Sequence, residues 1–164
     1  MLSHKLLFFL PLISTIFTYP FGVLLGEKTA QYFSSTLISI AAILSWFLFI
    51  SFSSSSSSEI IIPVLEWFFV SGQFFNWGIS VNSLTLLMLT LVLTVSALVH
   101  IYSIEYMSHD NSKVRFMTYL SLFTFCMVAL VVSDNLIQLF FGWEGVGLAS
   151  YLLIGFWHHK KSAN

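Results

Sequence analysis

The chain has 164 residues, 57% of them hydrophobic and 8% charged, with a net charge of −1. A soluble domain carries about 25% charged residues, so this composition marks an integral membrane protein. The charge balance offers nothing to a nucleic acid, and the single cysteine, Cys126, excludes an intrachain disulfide and any CxxC site. No Rossmann glycine pattern, Walker loop or metal-ligand cluster is present, so hydride transfer and nucleotide hydrolysis are not expected of this chain.

The predicted fold is all-α and membrane-integral, with five apolar spans at about 6–25, 33–52, 83–104, 116–133 and 136–157. The first resembles a signal peptide, with Lys5 ahead of an apolar core. It lacks a small-x-small cleavage site, and Tyr19-Pro20-Phe21 is bulky where cleavage would fall, so a retained helix, kinked or wedged near Pro11, is expected. The second span runs into the serine tract that ends at Ser58, read as a flexible surface loop. Residues 59–82 hold Pro63, Glu66, Gly72 and Gly78 and are too interrupted to span. Their β-branched residues with Trp67 and Trp77 suggest short strands, or a hairpin, at the membrane interface. The chain thus divides into 1–58 (two helices and the serine loop), 59–82 (the hairpin-like segment) and 83–164 (three helices).

Five spans place the termini on opposite faces. Lys28, Lys113, Arg115, Lys160 and Lys161 fall on one face and Lys5 on the other. The positive-inside rule puts the richer face, with the C-terminus, on the matrix or cytoplasmic side.

The last span carries Glu144 near its middle. A charged side chain at that depth costs about 3 kcal/mol on insertion scales, and an intramembrane carboxylate reads by default as part of a proton or ion path. Its helical face includes Phe140, Phe141, Gly147 and Leu148, with Tyr151 one turn further as a hydrogen-bond donor. Gly147 leaves room beside the carboxylate, and Gly145 with Ala149 forms a small-xxx-small pair that permits close helix approach. The opposing interpretation is a fixed hydrogen bond to a neighbouring helix. All six lysines and arginines lie at helix ends or in loops, so a cationic partner for Glu144 must come from another polypeptide. Asp134-Asn135 reads as an N-cap. His100, near the end of the third span, is either a proton relay or an interfacial residue hydrogen-bonded to a neighbour. Tyr102 and Tyr106 look like belt aromatics, Cys126 like a small core or lipid-facing residue, and His158-His159 like a solvated basic tail.

Four stretches then point further: 81–88 (VNSLTLLM), 98–107 (LVHIYSIEYM), 115–125 (RFMTYLSLFTF) and 134–157, with its core Gly142-Trp-Glu-Gly-Val-Gly-Leu-Ala-Ser-Tyr-Leu-Leu-Ile154. Together they resemble the chain 5 family of NADH–ubiquinone oxidoreductase (respiratory complex I) and, more distantly, the large subunits of multi-subunit cation/proton antiporters. The resemblance covers about 60–164 strongly, and the first two spans fit in position and length.

It implies an antiporter-like, proton-translocating subunit of the complex I membrane arm in the mitochondrial inner membrane. The family is built on two inverted five-helix repeats. Glu144 matches its membrane glutamate, which pairs with a lysine, and His100 and Tyr102 match its Val-His-x-Tyr-Ser stretch. NADH, FMN, iron–sulfur clusters and ubiquinone would be bound by other subunits. Partners would include a chain 4-like antiporter subunit and a second polypeptide that completes the repeat and brings the lysine.

Two departures stand out. Asn82 replaces the family's usual Asp, and the chain stops at Asn164, two helices into the first repeat. That end is expected to reflect either a split subunit or a fragment. A structural scaffold and an antiporter component remain the competing expectations.

Overall fold

The computed structural model describes residues 2–53, 59–70 and 73–157. Five helices and one hairpin make up the fold: α1 (Leu2–Leu25), α2 (Glu27–Ser53), β1 (Ile60–Val70), β2 (Gln73–Val81), α3 (Ser83–Tyr106), α4 (Lys113–Val131) and α5 (Leu136–Ile154). A 3₁₀ turn, Gly155–Trp157, follows α5. Each of the five helical segments is long and apolar enough to cross a bilayer. The tract from Ser54 to Ser58 and the basic tail from His158 onward lie outside the described residues.

The helices start and stop for local reasons. Gly26 has φ of +99°, a conformation open to glycine, and reverses the chain between α1 and α2 in a single residue. α2 begins six residues earlier than its apolar run, at Glu27. A carboxylate in the first turn suits the positive end of the helix dipole, and Glu27 also pairs with Lys113 Nζ at 2.9 Å. Asn82 caps α3 by accepting from Thr85 N at 2.8 Å, and Asn135 caps α5 by accepting from Gln138 N at 2.9 Å. Asn and Asp cap about equally well, so Asn82 keeps the helix start that an Asp would give.

α1 packs on α2 and α4, α2 on α3, and α4 on α5. The apolar core joins Leu7 of α1, Ile38 of α2, Leu86 and Leu93 of α3 and Val128 of α4. Lys28, Lys113 and Arg115 gather at one end of the bundle, the basic end, where Gly26 and the α3–α4 loop lie. Lys5 and the hairpin lie at the other, the hairpin end.

The two strands pair antiparallel and are longer than the expected short strands, 11 and 9 residues. The interruptions are absorbed by two register shifts, one after Pro63 and one after Glu66. A proline without an N–H is tolerated at such a bulge. Ile62, Ile79 and Val81 face the core, and Ile61 faces outward. Trp67 and Trp77 meet across the strands with ring centroids 5.2 Å apart.

The hairpin is bolted to the start of α5. The Gln138 side chain, 1% exposed, accepts from Gly78 N at 3.1 Å and donates to Gly78 O at 2.9 Å. Asn135 Nδ2 donates to Asn76 O at 2.9 Å, and Ser80 N donates to Val132 O at 2.8 Å. A side chain on Gly78 would collide with the Asp134 carboxylate.

Candidate functional site

The predicted site residues fall in two places. His100 lies inside the four-helix core formed by α1 to α4, whereas Glu144, Gly147 and Tyr151 lie on the outer face of α5.

Small residues decide which way Glu144 points. A Cβ on Gly142 would sit 2.7 Å from the Leu130 backbone, and one on Gly145 would sit 2.6 Å from Cys126 Sγ. Ala149 is fully buried. This stripe, one turn to the next along α5, is where α4 comes close. It contains the small-xxx-small pair Gly145/Ala149 read from the sequence. Cys126 is a core residue of the same contact.

The opposite stripe is Leu136, Phe140, Trp143, Glu144, Gly147, Leu148, Tyr151 and Ile154, all exposed. Glu144 has no hydrogen-bond or ion-pair partner among the described residues, and a Cβ on Gly147 would meet nothing within 4 Å. Tyr151 is 74% exposed and sits almost two turns from Glu144 on the same stripe. α5 is also the least covered helix. Only 17% of its apolar window is buried, against 33–39% in the other four. Toward the hairpin end this stripe is bordered by Phe141, whose ring lies 4.9 Å from that of Trp67.

His100 is fully buried among the helices and hydrogen-bonded to its neighbours. Its Nδ1 lies 2.8 Å from Ser96 O, which assigns the ring proton to Nδ1. Nε2 is then an acceptor, 3.3 Å from Ser121 Oγ of α4. Ser121 Oγ also contacts Ser14 Oγ of α1 at 2.9 Å and Ser34 Oγ of α2 at 2.8 Å. Ser14 Oγ donates to Ser34 Oγ at 3.2 Å. On the other side of the ring, Ser96 Oγ pairs with Thr124 Oγ1, which donates to Leu120 O. Ser35 Oγ of α2 donates to His100 O at 3.4 Å.

One consistent set of donors runs Ser14 to Ser34 to Ser121 to His100 Nε2. An unbroken hydroxyl line ending on an imidazole nitrogen can carry a proton by successive transfers. It equally satisfies every polar atom at a crowded helix crossing.

The sequence pointed to His100 but not to Ser14, Ser34, Ser96, Ser121 or Thr124. The only local signals were the i, i+4 spacing of Ser96 and His100 and the i, i+3 spacing of Ser121 and Thr124. Tyr102 and Tyr106 stack on the outer surface with centroids 5.7 Å apart, as belt aromatics would. Among the described residues, no three metal-ligating side chains come together.

Comparison with known proteins places these elements in a family. Residues 67–117 match the model described as NADH-ubiquinone oxidoreductase (complex I), chain 5 N-terminus, and 133–164 match NADH:quinone oxidoreductase/Mrp antiporter, TM. The chain is 48% identical over 148 residues to the NADH-quinone oxidoreductase subunit L of Rhodobacter capsulatus, covering 86% of this chain and 20% of that one. It is 42% identical over 161 residues to the NADH-ubiquinone oxidoreductase chain 5 of Chondrus crispus and 44% over 163 residues to that of Arabidopsis thaliana. Each of these two alignments covers 98% of this chain and 24% of the relative. The chain therefore spans about a quarter or less of the length of the curated relatives it matches. By the two matched models and by these relatives, the chain belongs to the chain 5 family of NADH–ubiquinone oxidoreductase.

Proposed function

We propose that this chain is part of the antiporter-like membrane arm of NADH–ubiquinone oxidoreductase and contributes to proton translocation there. NADH oxidation and quinone reduction would take place on other subunits, with FMN, iron–sulfur clusters and ubiquinone held by them. The chain would sit in the mitochondrial inner membrane with its basic end toward the matrix, as the positive-inside rule favours for Lys28, Lys113 and Arg115.

The observation that carries the proposal is the placement of Glu144. A carboxylate without a partner on the outer face of a membrane helix is costly against lipid. The cost falls when protein covers that face and brings a cation, and the lysine-bearing segment implied by the family resemblance is the proposed cover. Charge on that lysine would then set the proton affinity of Glu144, and movement of the pair would release or take up a proton. Gly147 leaves open space beside the carboxylate for a cationic side chain from that cover. A chain 4-like subunit and the other membrane-arm subunits are the proposed neighbours. His100, with its serine line, is the proposed relay within the bundle.

Glu144→Gln in the assembled complex tests the proposal. NADH-driven proton pumping and coupled turnover should fall while the complex still assembles. A scaffold role predicts the reverse, loss of the assembly with normal pumping in whatever survives. That second reading has its own support in the complete hydrogen bonding around His100.

A further inference from the structure

Arg115, in the first turn of α4, is a cation without an anion. It is half-buried and forms no ion pair among the described residues. Its guanidinium carbon lies 5.1 Å from the centre of the Phe156 ring, which holds the group against an aromatic face. Nε is covered and has no acceptor, whereas the two outer nitrogens are not sealed. Arg115 lines two cavities. One, of about 370 Å³, is shared with Tyr119 and Tyr151, whose hydroxyls have no hydrogen-bond partner among the described residues. The other, of about 410 Å³, is shared with Tyr19, Val23 and Glu27. The acids nearest in the fold are engaged elsewhere. Glu27 pairs with Lys113 Nζ at 2.9 Å, and Asp110 accepts from Ser112 N and Trp157 Nε1. Arg115 stands at the end of a spanning helix, the level at which headgroups meet the protein. Toward the membrane centre the neighbouring surface is apolar, with Ile16 of α1 and Leu148 of α5 both exposed.

We propose that Arg115 holds the phosphate of a membrane phospholipid. The outer guanidinium nitrogens form a fork that meets two phosphate oxygens with parallel N–H bonds. The Tyr119 and Tyr151 hydroxyls donate to the remaining phosphate oxygens or to the ester carbonyls beside them. The acyl chains run toward the membrane centre along the surfaces that carry Ile16 and Leu148. A carboxylate from a neighbouring protein would match the charge, but its two oxygens are fewer than the guanidinium and both hydroxyls together can use. A phosphodiester with its adjoining esters supplies enough acceptors for all three side chains. The site is independent of the cover proposed for Glu144, which lies almost two turns of α5 deeper than Tyr151.

The test is photolabelling of the intact complex in phosphatidylcholine vesicles doped with a phosphatidylglycerol that carries a diazirine in its headgroup. Labelled positions on this chain are read by mass spectrometry. Lipid adducts should fall on the start of α4, near Arg115 and Tyr119, and on the end of α5, near Tyr151 and Phe156. Arg115→Gln should lower the yield at both segments about tenfold or more, and leave labelling elsewhere on the chain unchanged. Arg115→Lys keeps the charge without the fork and should retain part of the yield. The wild-type adduct map stands by itself if Arg115→Gln does not assemble. No adduct at either segment in the wild type, as a polypeptide seated on Arg115 would produce, overturns the proposal. Equal yields in Arg115→Gln and wild type overturn it as well. So does loss of the adducts to excess inorganic phosphate, which would make the site one for a free anion.

Discussion

Ser121 Oγ lies 3.3 Å from His100 Nε2 and within 2.9 Å of hydroxyls on both α1 and α2, so one serine ties four helices at a single buried point. In a membrane interior this matters more for specificity than for energy. Helix association there has no hydrophobic drive, and interhelical hydrogen bonds of about 0.6–2 kcal/mol each help to choose the partner and the register. The same atoms make a polar line through an apolar bundle.

Ser121→Ala removes that hub. It leaves the His100 nitrogen and two serine hydroxyls short of a partner, at about 1–3 kcal/mol for each buried group that finds no substitute. The thermal midpoint of the purified assembly should drop. Ser121→Thr keeps the hydroxyl and should recover part of it. Equal midpoints for Ala and wild type would mean that the network is not structurally coupled.

Gly145 and Gly147, two residues apart in α5, should behave in opposite ways. Gly145→Ala forces a methyl against Cys126, an overpacking that costs about 1–3 kcal/mol in a tight contact. Gly142→Ala is worse, because the obstruction is the Leu130 backbone. Gly147→Ala meets open space within this chain and should leave the α4–α5 pair intact. Steady-state amounts of the chain in membranes report this order. A loss at Gly147 equal to that at Gly142 would show that something covers Gly147 at equally close range.

Gln138→Leu should free the hairpin. The substitution unpairs both the N–H and the carbonyl of buried Gly78, which Gln138 satisfies together. Limited proteolysis should then cut within 60–81 well before it does in the wild type. Unchanged protection would assign the docking to the aromatic contacts of Trp67 and Phe141 instead.

These predictions draw on features that were unequally legible in the sequence. The five helices follow from apolar runs, and the hairpin follows from a stretch where Pro63, Glu66, Gly72 and Gly78 rule out a span and β-branched residues favour strands. Their ends were misjudged where polar first turns such as Glu27-Lys28-Thr29 are held by tertiary pairing. Glu144 was plain, but its direction was not. Only the α4 surface opposite Gly142 and Gly145 decides which stripe of α5 is covered. The serine line was the least visible part. Single serines in apolar helices carry no pattern, and Ser14 meets Ser121 across 107 residues of sequence.

The central claim is that the Glu144 face of α5 is covered by protein that brings a cation. A cysteine at Gly147, in open space one turn from Glu144, tests it directly with a short cysteine-to-lysine cross-linker applied to the native complex in a Cys126→Ala background. A cross-linked product joining position 147 to a lysine in a membrane-spanning helix outside the described residues is the predicted result. Ready modification by a lipid-soluble thiol reagent, with no protein cross-link, would place Glu144 against lipid and contradict the account.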